Sequence, residues 1–497
     1  MKLKKLLCLA MASMISVSVI GNVGCFGGAT VDVNDLSVPV YQDAGETVLR
    51  VDLPPNQADR EQMLLYKECG FNAIPLTDDF CSSSEVAPYM EEIAVYKEEL
   101  AKWDGVNLAT KPIEPEKPAY IKALELCEEL DIDVYIRPHS DNVAELPETM
   151  FDENGVAQKN YFEERFYNFN FKDYPAVKGF MMCDEPTYGK LTDLQNRYIP
   201  WFNENYGDEG YEVLINHLSP GASLAWKDKY SSSLSYDDYI GHFYNDVLGP
   251  AKAVNKVFSH DGYVLNTNGA NNYIDERHLF SGLRMRQYAD EYGVDYGAYI
   301  QCFHGHDTLR PMTSYADFSF QVCTYLALGA KVLSFYGYRD YPPENHLMSG
   351  GDRTEKWYWV KEVNQMIKKI DGVIYNFDWQ GLFTNIGTGG FLEEVEHFNA
   401  IKEIDLDKLD GVKSFKSKYN AIVGQFEDPN GNKGFMLVNY EEPSIKHTNK
   451  VTMEFENADG LLLYRNGEPT VLGLTGKTFT IDLEAGEGVF MVPLFKK

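Results

Sequence analysis

The chain has 497 residues, with 45 Lys and Arg against 75 Asp and Glu and a formal net charge of −30. Its 44% hydrophobic content supplies core enough for a large domain with a smaller companion. So acidic a surface excludes nucleic acid and anionic lipid as natural partners, because both would be repelled.

The first predicted element is an address. "MKLKK" is a basic stretch, and Leu6 to Ile20 form an apolar run too short and wrongly flanked to span a membrane. "GNVGC" follows and resembles the processing box of bacterial lipoproteins, with Asn22 standing where an aliphatic residue is usual. The resemblance implies a signal peptide over residues 1–25 and lipidation of Cys25. An exported bacterial protein is expected, either a cell-surface lipoprotein or secreted. Its one expected membrane contact is that lipid anchor.

Strand-like and helix-like patterns then alternate. "TVLRVDLP" (47–54), "FNAIPLT" (71–77), "DVYIRPH" (133–139), "VKGFMMCDEP" (177–186), "YEVLINHLS" (211–219), "VFSHDGYVL" (257–265), "YGAYIQCFHG" (296–305) and "AKVLSFYGY" (330–338) are the predicted strands. Amphipathic stretches lie between most of them, and Gly70 is placed to cap the helix ending "YKECG". Strands this apolar, separated by helices, predict a parallel sheet covered on its outer face. Their number predicts an α/β fold, a (β/α)8 TIM barrel over residues 45–380. A doubly wound sheet is the competitor, but no glycine-rich phosphate loop follows an early strand.

Residues 83–118 read as an insertion, a charged helix followed by the proline-punctuated "KPIEPEKP". From about residue 415 helical periodicity disappears, and short strands separated by Asn, Gly and Asp turns predict a β-sandwich over 415–497. Cys69, Cys81, Cys127, Cys183, Cys302 and Cys323 show no metal spacing and read as small buried hydrophobes. A Cys69–Cys81 bridge remains open. No metal or cofactor is expected.

The chemistry is expected at the strand ends, where barrels place their active sites. "VKGFMMC" runs into Asp184, Glu185 and Pro186. Thr192 with Gln195 predicts a capping box for the next helix, leaving "CDEPTYGK" as a rim loop. "AVKGFMMCDEP" resembles the acid/base strand of barrel glycoside hydrolases, and "ADFSFQVCTYLALGAKVLSFYGYRD" (316–340) is similar to the last-strand region of β-galactosidase-like members. The resemblance implies an exported glycoside hydrolase acting on oligo- or polysaccharide, with carbohydrate as partner and Glu185 as general acid. At the end of the penultimate strand, where that family carries a glutamate, this chain has Gln301.

A glutamine forms no stable glycosyl ester, so three readings stay open. Asp261 in "SHDGYVL" serves as base or nucleophile, or is simply a structural acid. Alternatively Asp184 and Glu185 resemble the Asp-Glu pair of hexosaminidases, where the aspartate orients the substrate's acetamido group. Third, the chain is a non-catalytic glycan-binding lipoprotein. Further rim candidates for sugar binding are His139, Asn216, His217, Tyr263, Gln301, His304 and Tyr338, each of which could equally be a packed core residue. Arg137 reads either as a rim group or as a buttress paired with a structural acid.

Overall fold

The computed structural model describes residues 30–42, 44–137, 161–220, 233–303, 308–339, 346–388 and 406–497. The expected signal peptide, Cys25, His139 and His304 lie outside these residues.

All eight predicted barrel strands are present. They are β1 (Val48–Asp52), β2 (Ala73–Leu76), β3 (Asp133–Ile136), β4 (Val177–Asp184), β5 (Glu212–His217), β6 (Lys256–Asp261), β7 (Asp295–Gln301) and β8 (Val332–Tyr336). Their order is β1-β8-β7-β6-β5-β4-β3-β2, and every pairing along it is parallel. The seam between β1 and β2 is closed by Asn72. Its amide oxygen accepts from Leu49 N at 2.7 Å, its amide nitrogen donates to Thr47 O at 2.9 Å, and its backbone N donates to Leu49 O at 3.1 Å.

Outer helices cover the strands. These include α1 (Arg60–Glu68), α2 (Val86–Lys102, the predicted insertion), α3 (Ala119–Leu130), α4 (Tyr188–Asp193), α5 (Tyr236–His242) and α6 (Tyr315–Ala327). Asp59 caps α1 by accepting from Glu61 N and Gln62 N, and Gly70 follows its end at φ +99°, a conformation that favours glycine. The helix after β4 starts at Tyr188 rather than at the predicted Thr192 capping box. Thr192 lies inside α4, because Thr187 already has the extended backbone of an N-cap. All six cysteines within the described residues are free and buried, so the Cys69–Cys81 bridge does not form.

The C-terminal unit comprises β9 (Asp378–Asn385), β10 (Val412–Ser417), β11 (Ala421–Glu427), β12 (Lys433–Asn439), β13 (Asn449–Phe455), β14 (Gly460–Arg465), β15 (Glu468–Gly473), β16 (Thr478–Leu483) and β17 (Gly488–Lys496). One sheet runs β9-β11-β12-β17-β14-β15, the other β10-β13-β16, both antiparallel, with a shared apolar core. The sandwich thus recruits β9, a strand well before residue 415. Helix α6 is buried along its whole length from Asp317 onward because it is clamped between barrel and sandwich. Glycines allow the close approach. A Cβ on Gly424 would lie 2.1 Å from Ala327 O, and one on Gly486 would lie 2.1 Å from Ala316 O.

Asn72→Ala should lower stability by about 1–3 kcal/mol, since it removes two seam hydrogen bonds and leaves their backbone partners unsatisfied. Urea unfolding measures this, and an unchanged midpoint would show that the seam closes without that side chain.

Candidate active site

The inner faces of the strands carry a sequence of layers. Ala73, Tyr135, Met181, Leu214, Val257, Tyr299 and Val332 form the apolar interior. Among them sits Arg50, fully buried, donating to Ser334 Oγ at 2.6 Å and Tyr299 Oη at 3.1 Å, with its guanidinium facing the Tyr135 and Tyr299 rings. Above this layer, at the C-terminal mouth, stand Asp52, Arg137, Asp184, Glu185, Asn216, Ser259 and Asp261.

Asp184 reaches the mouth through a β-bulge. Met181 faces inward, so plain alternation would turn Asp184 outward. Between Met181 and Cys183 the pairing with β5 slips by one residue, leaving Met182 and Cys183 both in the outer core. The inserted residue reverses the parity, and Asp184 points in. Glu185 follows with φ +44°, an unusual backbone for a residue with a side chain, held by its N donating to Asn216 O at 2.9 Å.

The polar contacts form one chain. Arg137 bridges Asp52 at 3.1 Å and Asp184 at 2.9 Å, which makes it the buttress of the two sequence readings. The Asn216 amide nitrogen donates to Asp184 Oδ1 at 2.9 Å and to Asp261 Oδ1 at 2.8 Å, while its oxygen accepts from Ser259 Oγ at 2.9 Å. Asp261 in turn shares a hydrogen bond with the Glu185 carboxyl.

Three acids this close in a desolvated mouth cannot all ionise at ordinary cost. Burial, then the hydrogen bond and charge of Glu185, then Asp184, push the Asp261 carboxyl well above the usual carboxylate range. Burial pushes Asp184 from 3.8 up to about 6, against the pull of Arg137 and the Asn216 hydrogen bond. Asp261 therefore keeps its proton at a pH where an isolated carboxyl would have lost it.

An aromatic wall borders the pair. The rings of Tyr263 and Phe303 meet edge to face at 5.0 Å, and those of Phe303 and Tyr336 at 5.1 Å. Of the expected sugar-binding residues, Tyr263 is the one placed beside Asp261 as a surface. Four others have different places. Asn216 is in the mouth, but both its amide groups are engaged by the network. Gln301 is buried, its oxygen accepting from Leu265 N at 3.1 Å and its nitrogen donating to the carbonyls of Leu265, Phe303 and Arg310. It organises backbone instead of facing ligand. His217 points outward under α5, against Tyr239 Oη at 2.9 Å and the Phe243 and Phe258 rings, with burial lowering it to about 3. Tyr338 packs edge-on against Tyr66 and Phe71 in the layer outside the barrel. Strand parity sends His217 away from the mouth, whereas Tyr338 lies past the end of β8 and joins the outer core there.

Asp52, Phe303 and Tyr336 were not anticipated. The first had a signal, since it ends "TVLRVD" as Asp184 ends its own strand; the aromatics had none. Among the described residues no cluster of His, Cys, Asp and Glu could hold a metal ion.

No family model and no curated protein sequence matches the chain. Similar solved structures are glycoside hydrolases. One is a family 39 glycoside hydrolase from the gut symbiont Bacteroides cellulosilyticus WH2, 11% identical, with 92% of this chain and 83% of that one covered and a TM-score of 0.43. Another is a family 27 β-L-arabinopyranosidase from Geobacillus stearothermophilus, 9% identical, covering 91% and 97%, with a TM-score of 0.43. A third is a β-galactosidase from the psychrophilic Marinomonas ef1, 12% identical, covering 67% of this chain and 62% of that one, with a TM-score of 0.41.

The raised Asp184 value has a consequence for stability. Protonation of this group favours the folded state, so its contribution is fully present below 3.8 and is lost as pH rises through about 6. Thermal unfolding across that window should show the wild type losing stability with rising pH and Asp184→Asn, which cannot ionise, losing less. Equal slopes for the two proteins would sink the assignment.

Proposed function

We propose that this chain is an exported glycoside hydrolase acting on oligo- or polysaccharide, with Glu185 as the general acid. The observation that carries the reading is the hydrogen-bonded Glu185–Asp261 pair at the mouth of a closed barrel. Glycosidic oxygen is a poor leaving group, and its departure needs a proton from an acid that still holds one near neutral pH. Repulsion and burial give that property to Asp261, the hydrogen-bond partner of Glu185. The basic and apolar N-terminal run supports export, and the aromatic wall supports a sugar whose ring has an apolar face.

The proton balance is simple. As the glycosidic C–O bond breaks, the pair's proton passes from Glu185 to the departing oxygen. Water attacks the anomeric carbon, and the proton it releases returns to the pair. Arg137, connected through Asp184 and Asn216, offsets the negative charge that builds up meanwhile. Asp261 is then the proton partner of Glu185.

A second reading, sugar binding without cleavage, is favoured by Gln301, whose amide stands where the resembling family carries an ionisable glutamate and is engaged with backbone.

Glu185→Gln preserves shape but removes the transferable proton. Hydrolysis of alkyl glycosides should fall about 10²–10⁴-fold, while aryl glycosides of acidic phenols should lose far less in the bond-breaking step. Wild-type rates on alkyl glycosides would remove the acid assignment. A wild type that binds oligosaccharide and cleaves none would move the chain to the binding reading. Asp261→Asn removes the carboxyl whose proton burial and its acidic neighbours hold, so the part of the kcat/KM pH profile set by its titration should disappear, and an unchanged profile would show that Asp261 takes no part in the proton transfer.

A further inference from the structure

We propose that the C-terminal sandwich is a working part of the mouth, with Glu442 as the positioning residue that sets the aromatic wall. This rests on the glycosidase reading for its kinetic readout, though not for its structural one.

The argument starts from a buried ion cluster joining the two units. Arg310, in the segment after β7, is 2% exposed. Its guanidinium donates to Glu442 Oε1, with Nε at 2.7 Å, and to Asp317 Oδ1 of α6 at 2.7 Å. Both acids are buried. Apolar side chains of similar volume would hold the same surfaces together at least as well, so stability alone does not account for these charges. They instead impose a geometry, because a guanidinium fork bonded to two carboxylates has few alternative placements.

That geometry is transmitted to the rim by backbone. Arg310 N donates to Leu265 O at 3.0 Å, and Arg310 O accepts from the Gln301 amide at 3.1 Å. Gln301 also accepts from Leu265 N and donates to Phe303 O. Thr267 N donates to Thr308 O at 2.7 Å. The other oxygen of Glu442 accepts from Ser444 N at 2.8 Å, and Ser444 Oγ accepts from the Asn272 amide at 2.9 Å. Asn272 belongs to the small hairpin, Leu265–Thr267 with Asn272–Ile274, that follows β6. One carboxylate of the sandwich therefore anchors both the segment after β6 and the segment after β7. The roots of these segments carry Tyr263 and Phe303, two of the three rings of the wall, and Tyr263 is the one that adjoins Asp261. Phe303 is buried behind the half-buried Tyr263, the ring that would meet the apolar face of a sugar, so the placement of Tyr263 governs affinity and leaves the acid untouched.

Glu442→Gln retains volume but weakens the charge-assisted bonds to Arg310. KM for the oligosaccharide cleaved by the wild type should rise roughly tenfold, as expected for loss of one charge-assisted contact. The kcat value and its pH profile should stay where they were, because Glu185 and Asp261 keep their own contacts. Amide hydrogen exchange over residues 263–274 should quicken, a readout that needs no substrate. The double variant Arg310→Met with Glu442→Leu restores apolar packing, so its thermal stability should recover while KM and exchange remain altered.

Wild-type KM and exchange in Glu442→Gln would overturn the proposal, as would a KM that recovers together with stability in the double variant. If the wild type cleaves no glycoside, the glycosidase reading fails separately. Exchange over 263–274 then decides the positioning role, faster exchange supporting it and unchanged exchange overturning it.

Discussion

Repulsion among carboxyl groups in a desolvated mouth is the constraint on which the site depends. Asp184, Glu185 and Asp261 converge from the ends of β4 and β6, where the barrel walls exclude water and strengthen every electrostatic interaction. The molecule relieves that repulsion in two ways. Arg137 neutralises Asp184 from one side, and Asn216 donates to Asp184 and Asp261 from below, each contact favouring ionisation of the acid it touches. What remains is relieved by a proton kept on Asp261. A retained proton thus arises from crowding rather than from any one unusual residue.

The scaffold is arranged to sustain this crowding. A bulge in β4 turns Asp184 inward, and Glu185 accepts a left-handed backbone to follow it. Such departures from regular strand geometry cost energy and persist where neighbours over-determine them. Here the neighbours are the Asn216 carbonyl, which accepts from Glu185 N, and the Asn216 amide, which bonds both flanking acids. Beneath them Arg50 contributes a second buried positive charge, held by hydroxyls and aromatic faces. Regular strands hold the barrel; irregular ones aim the chemistry.

The two units are also mechanically joined. Helix α6 belongs to the barrel by sequence order, yet it lies against sandwich strands that carry glycine at the points of closest approach. The apolar, glycine-containing character of "FSFQVCTYLALGA" has its explanation in this double burial, since a helix covered on one side only would show a polar stripe. Expected sugar ligands such as Gln301 turn out to work in the backbone of the rim, where an amide offering both donor and acceptor can organise three segments at once.

By itself the sequence determined the architecture, the location of the acids and the burial of the cysteines. Eight apolar strands at helix-separated intervals leave few alternatives to a covered parallel barrel, and a strand ending in two carboxylates places those acids on its C-terminal rim. It also contained the all-β character of the C-terminal residues, because hydrophobic periodicity is a local property. Tertiary structure alone decided which way each rim side chain points. Period-2 alternation would have sent Asp184 outward, and only the pairing of β4 with β5 reveals the extra residue that reverses it. His217 and Asn216 are adjacent in sequence and opposite in place, one under α5 and one between two acids. The hydrogen bond between Asp261 and Glu185 joins residues 76 positions apart, a distance over which no local pattern carries information. The raised proton affinity of Asp261 is a property of that meeting, and it exists only when the barrel is closed.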